Sequence, residues 1–161
     1  MDVNIIQSKI HEVRGCKVML DFDLAELYGV ETRVLNQAVK RNIKRFPPDF
    51  MIQINKKEWD SLISQIVISK KSKRGGTRKL PFAFTEHGIA MLSSVLNSEK
   101  AIEINTSIIR IFIIIRKYEL SHKNLTEKLI QLGKKYNKQF KERENELGLM
   151  KENKENSFKI I

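Results

Sequence analysis

Arg33, Asn36, Gln37, Lys40, Arg41 and Lys44 stand three and four residues apart along the chain, so in a helix they share one face. The carboxamides of Asn36 and Gln37 match the donor and acceptor pair on adenine, and the Arg33 guanidinium matches the two acceptors of guanine. Lys40, Arg41, Lys44 and the adjoining Arg45 carry the charge that neutralises phosphates. The chemistry offered is reversible recognition of a polyanion, not bond making. A solvated helix face can have the same composition, so the reading depends on the elements around it.

Catalytic alternatives are weaker. Thr85, Glu86 and His87 place a hydroxyl, a carboxylate and an imidazole side by side. Adjacent helical residues point about 100° apart, so these groups do not converge on one proton or metal. Thr85 as an N-cap, with Glu86 against the helix dipole, is the simpler account. His11, His87 and His122 are the only histidines, and no HExxH, paired cysteines, GxxxxGK[ST] or GxGxxG occurs. Asp21, Asp23 and Glu26 form the one dense acidic group before the tail, and helix capping already explains two of them. Cys16 has no local base to activate it. The expectation is a protein without enzymatic activity, metal or cofactor.

The elements that must position the basic face begin at Asp23. DLAELYGVETRVLNQAVKRNIKR, from Asp23 to Arg45, reads as two short helices around a tight turn. Asp23 is expected as the first N-cap, with Glu26 reaching back and Phe22 and Leu27 at the staple positions. Leu24, Ala25, Leu27 and Tyr28 cover the inner face, and Gly29 stops the helix by taking a positive φ. Thr32 is expected to cap the second helix, with Val34, Leu35, Ala38 and Val39 as its apolar face.

Two β-prone runs, Ile10 to Val13 and Cys16 to Leu20, flank Arg14-Gly15 and predict an N-terminal hairpin. After the second helix, Pro47-Pro48 bars continuation, and Phe50, Ile52 and Ile54 alternate with Met51 and Gln53 as a half-buried strand. Asn55 and Glu58 form a capping pair ahead of a core helix bearing Trp59, Leu62, Ile63 and Ile66. Ser69 to Lys79 is the most basic stretch, and Gly75-Gly76 permits a reversal. It reads as a basic wing carrying Arg74, Arg78 and Lys79, with Leu80 to Phe84 as its return strand. Pro81 is tolerable at an edge or strand start.

From Glu99 the pattern is one long helix. Ile104, Ile108, Ile111, Ile115, Tyr118, Leu125, Leu129, Leu132 and Tyr136 fall at heptad a and d positions. His122 occupies another position of this seam, and the seam weakens near Gln139, where Phe140 and Leu147 are displaced by one. The organisation expected is a domain over 1–117, a coiled-coil-like helical extension over 118–150 and a disordered polar tail over 151–161.

Thirty Lys and Arg against 19 Asp and Glu give a net charge of +11 on 161 residues. The resulting pI of 9.8 points to nucleic acid first and an anionic surface second. The longest apolar run, Ile108 to Ile115, is interrupted by Arg110 and falls well short of the roughly 18 residues a membrane span needs. The start lacks a secretory signal and one cysteine cannot form an internal disulfide, so a cytoplasmic location is expected.

Three stretches together, MLDFDLAELYGVETRVLNQAVKRNIKRFPPDFM, RGGTRKLPFAFTEHGIAMLSSVL and the helix that follows to Arg116, closely resemble the KilA-N superfamily. Within it, the branch that these stretches resemble is the N-terminal domain of phage open reading frame six. The resemblance covers roughly residues 5 to 117. It implies a DNA-binding domain of the kind found in bacterial, phage and large-virus proteins, often in phage antirepressors and regulators on mobile elements.

The sequence thus predicts an α+β fold with an N-terminal β-hairpin, a helix-turn-helix-like core, a basic β-wing and a long C-terminal helix. The expected function is sequence-specific binding of double-stranded DNA in transcriptional regulation. Arg33, Asn36 and Gln37 would face bases, and Lys40, Arg41, Lys44, Arg45, Arg74, Arg78 and Lys79 would face phosphates. The expected partner besides DNA is a second copy, joined through the long helix, with no membrane and no small-molecule substrate. The alternative is an antirepressor-like protein-interaction module acting through that helix.

Overall fold

The hairpin turn at Arg14-Gly15 starts the sheet, because both residues take positive φ, 53° and 76°, as a two-residue loop between right-twisted strands requires. It joins β1 (Ile10–Val13) to β2 (Cys16–Leu20), with Val13 opposite Cys16. The structure, a computed structural model, describes residues 2–69 and 79–159. The remaining elements are α1 (Val3–Ser8), α2 (Asp21–Tyr28), α3 (Thr32–Arg41), a 3-10 turn (Ile43–Arg45), β3 (Met51–Gln53), α4 (Lys56–Ser69), β4 (Phe82–Thr85), α5 (Glu86–Leu96) and α6 (Glu99–Lys159). The fold is α+β, as the sequence predicts. Helix α1 has no counterpart in the sequence reading; Asp2 caps it by accepting from the Asn4 amide at 2.9 Å.

The sheet is antiparallel throughout, in the order β1-β2-β4-β3. The chain enters β4 between two strands already laid down, with Met19 and Met51 flanking Phe84 on either side. The N-terminal hairpin and the strand after the second helix both stand as expected. Pro81 lies immediately before β4, so the inner strand loses no ladder donor.

Val18, Met19 and Leu20 are each fully buried. Successive side chains of a strand point to opposite faces, so β2 is covered on both. On one face Val13, Val18, Leu20, Ile52, Ile54 and Ala83 form a cluster with Leu62 of α4, flanked by Phe22 and Trp59. On the other, Phe84 meets Phe46 edge to face at 5.9 Å.

Helix α4 starts as predicted. The Glu58 amide donates to Asn55 Oδ1 at 2.8 Å, and the Asn55 amide donates to Glu58 Oε1 at 3.2 Å. Glu58 also receives both arms of the Arg14 fork, at 3.0 and 2.8 Å, which ties the hairpin tip to α4.

Two compact units divide the chain, Met1–Ile114 and Ile115–Ile161. In the first, α6 buries Ile104, Ile108, Ile111 and Phe112. Tyr28 donates its hydroxyl proton to buried Asn105 Oδ1, and burial pushes the Tyr28 phenol above its ordinary range. In the second unit the heptad residues Tyr118, Leu125, Leu129, Leu132 and Tyr136 are all more than half exposed. Helix continues to Lys159, past Met150, where the sequence reading expects a disordered tail.

Candidate nucleic-acid interface

Helix α2 leaves β2 without a loop, so its first turn is set by the strand's end. It opens at Asp21 with Leu20 in the N-cap position and no side-chain cap, three residues before the expected N-cap at Asp23. Asp23 instead faces Lys9 Nζ at 3.3 Å and His11 Nε2 at 3.8 Å, and Lys9 also reaches Glu26 at 3.1 Å. Tertiary ion pairing from the chain's first turns has taken the carboxylate that local capping would have used.

The turn itself is as read. Gly29 takes φ 71°, its amide donates to Glu26 O at 3.2 Å, and the Val30 amide donates to Ala25 O at 3.0 Å. Leu24, Ala25, Leu27 and Tyr28 are buried. Helix α3 has Glu31, not Thr32, at the N-cap, with no side-chain bond there. Leu35 and Val39 are buried, but Val34 is 42 % exposed, so the apolar face is narrower than expected.

Arg33, Gln37, Lys40 and Arg41 are exposed on α3. Arg33 lies 3.7 Å from Glu31 in a surface pair. Asn36 departs from the sequence reading, because it is half-buried and its Nδ2 donates to Asp21 Oδ2 at 2.9 Å. Its Oδ1 is buried without a hydrogen-bond partner. With its Nδ2 held by the Asp21 carboxylate, Asn36 ties α3 to the first turn of α2 and does not present the fully exposed amide that bidentate pairing with adenine would use.

Lys44 and Arg45 are exposed but lie beyond the end of α3, in the 3-10 turn, and Arg45 Nη1 donates to Ser94 Oγ at 3.1 Å. Of the expected wing, Ser69 to Lys79, only its two ends are described; Arg74 and Arg78 lie outside the described residues. Lys79 is described, exposed, and lines the same cleft as Arg33, Gln37 and Lys40.

That cleft, about 1200 Å³, runs between α3, α4 and the residues entering β4. Its remaining walls include Phe22, Trp59, Ile63, Leu80, Pro81 and Phe82. Phe22 and Trp59 meet edge to face at 6.0 Å. Asp21 is the one acidic residue among the described lining residues and is 4 % exposed. Burial pushes the Asp21 carboxyl above its ordinary range, against the donors from Asn36, Phe82 and Phe22 that favour the anion.

Asp21, Gln53, Trp59 and Phe82 were not singled out as site residues by the sequence. Gln53 braces the strand entry, its Nε2 donating to Leu80 O at 3.1 Å and Pro81 O at 3.2 Å. A carboxylate set directly between the apolar Leu20 and Phe22 was the available signal for Asp21. His87, by contrast, stacks on Phe50 at 5.5 Å. Among the described residues no three His, Cys, Asp or Glu side chains come together as a metal set, and no helix is long and apolar enough to cross a membrane.

Comparison with known proteins gives one family match, the ORF6N domain, over residues 8–95. No curated protein and no solved structure matches the chain.

Proposed function

The chain belongs to the ORF6N domain family, and from that premise we propose that it is a sequence-specific double-stranded DNA-binding protein, a transcriptional regulator of phage or mobile-element origin within the wider KilA-N superfamily. The observation that carries this reading is the shared cleft: Arg33, Gln37 and Lys40 of α3 border it together with Lys79, which stands at the base of the basic stretch. A helix offering an amide and a guanidinium, with cations on both sides, suits a major groove and the strand beside it.

In this reading Arg33 and Gln37 meet base edges, and Lys40, Arg41, Lys44, Arg45, Arg74, Arg78 and Lys79 meet phosphates. The helix-turn-helix is α2 and α3. The protein works in the cytoplasm as a homodimer joined through α6, without catalysis, cofactor or membrane.

Selection of bound duplexes from a random pool tests the reading. A recovered consensus supports it, and a palindromic one reports the spacing of two half-sites. Contact with about six phosphates gives a log-log salt slope of about five in magnitude. Binding that ignores salt, or a pool that shows no consensus, would count against it.

A second reading, a protein-interaction module, is favoured by the exposed apolar residues of α6. A partner complex that forms without DNA and survives high salt would support that alternative.

A further inference from the structure

The walls of the α3–α4 cleft are not those of a phosphate track alone. Phe22, Trp59 and Phe82 line it, all half-buried, and Arg33, Lys40 and Lys79 line it as cations. The only carboxylate among the described lining residues, Asp21, is buried and accepts three hydrogen bonds, from the Phe22 amide at 2.7 Å, Asn36 at 2.9 Å and the Phe82 amide at 3.2 Å. Asp21 therefore presents little free acceptor capacity to a ligand. An occupant with flat apolar faces and a negative charge satisfies both halves of the lining, and a nucleotide has both.

We infer that this cleft receives one unpaired nucleotide of a DNA strand, its base against Phe22, Trp59 and Phe82 and its phosphate against Lys40 and Lys79. The inference rests on the DNA-binding reading and deepens it. A fully stacked duplex presents sugar, phosphate and base edges, which leave the aromatic side chains unused. A base out of the stack offers its π-face, and stacking of bases on aromatic side chains is tolerant of sequence. An acidic, apolar peptide shares the gross chemistry. DNA is favoured because Arg33, Gln37 and Lys40 border the cleft and the proposed duplex-reading face alike, so a strand crossing that face is delivered to it.

Trp59 is the chain's only tryptophan, so its emission reports on the cleft directly. The full chain is titrated with a single-stranded oligo-dA, the matching duplex, free deoxyadenosine monophosphate and an acidic leucine-containing peptide, with a gel-shift measurement in parallel. Oligo-dA is expected to quench Trp59 and bind in a salt-sensitive manner. Trp59→Leu should weaken oligo-dA binding by roughly tenfold to a hundredfold, the range of one lost stacking contact, whereas Trp59→Phe should keep it within a few-fold.

Circular dichroism checks that Trp59→Leu folds; should it fail, the emission titration of the unaltered chain decides alone. Duplex binding with no response of Trp59 to oligo-dA overturns the inference and leaves the DNA-binding reading standing. Quenching by the peptide or by the free nucleotide, but not by oligo-dA, also overturns it. Loss of all DNA binding in the gel sinks both.

Discussion

The Asn36 amide donates to Asp21 Oδ2 across 2.9 Å, and the same oxygen accepts the Phe82 amide at 3.2 Å. One buried carboxylate oxygen thus ties α3 to the first residue of the inner strand β4. The angle between α3 and the base of the basic stretch is held by Asp21, from the first turn of α2.

This link separates two neighbouring carboxamides that look equivalent in sequence. Asn36→Ala leaves a buried carboxylate short of a donor and is expected to cost about 1 to 3 kcal/mol of folding stability. Gln37→Ala, on an exposed position, should leave stability within about 0.5 kcal/mol and relax base preference by about 1 to 3 kcal/mol. Urea titration and binding to the selected consensus check both. Equal behaviour of the two variants would refute the division of roles.

The pH dependence of stability should contain two opposing carboxyl contributions. Asp21 has a folded pKa raised above its unfolded value, chiefly by burial. The native state then holds the extra proton between those values, so stability falls as pH rises through that window. Glu58 is lowered, chiefly by its hydrogen bond to Arg14, so its contribution is present above the ordinary glutamate range and is lost as pH falls through the folded value. Acid titration of Asp21→Asn should therefore show a steeper loss than the unaltered chain, and Arg14→Met a shallower one. Superimposable curves would contradict these assignments.

What could be read in the sequence was set by contacts a few residues apart. Arg14-Gly15, Gly29, the Asn55 and Glu58 pair and Thr85 all do what their local chemistry predicts, since each is fixed by its own φ or by a partner within three residues. The misreadings were decided at longer range. Asp23 was drawn to Lys9, Asn36 to Asp21, and Trp59 and Phe82 meet on one cleft from separate elements. Periodicity assigned Asn36 to the outer face because it records only the angle around the helix. It carries no information about a carboxylate waiting 15 residues earlier.

Gly88 and Gly133 should respond oppositely to alanine. A Cβ at Gly88 would stand 2.1 Å from the Phe50 carbonyl oxygen. That oxygen is itself held by the Thr85 amide at 3.1 Å, so it cannot simply withdraw. Gly88→Ala is expected to cost about 1 to 3 kcal/mol or more, as overpacking against fixed backbone does. Gly133 has nothing within 4 Å of a built Cβ and lies inside α6. Gly133→Ala should favour that helix by about 0.8 to 1 kcal/mol. Thermal melts monitored by circular dichroism distinguish the two, and a neutral Gly88→Ala would show that α5 can move away from Phe50.

The exposed residues of α6 give the prediction with the largest expected effect. Leu125, Leu129, Leu132 and Tyr136 are 57, 59, 52 and 67 % exposed and are spaced by four, three and four, the rhythm of a coiled-coil seam. Isolated helices in water draw little stability from propensity alone, so a partner covering this stripe would supply burial that the single chain lacks. Under the homodimer proposal, Leu125→Asp with Leu132→Asp should convert a dimer to a monomer in sedimentation and reduce helicity. It should also weaken binding to a palindromic site by about a hundredfold or more, because the second half-site no longer benefits from effective concentration. Lys128→Ala, off the stripe, should change none of these. A chain that sediments as a monomer at micromolar concentration before any substitution would leave α6 without this role, while the contacts proposed for Gln37 and Lys40 with DNA could still be tested on a single half-site.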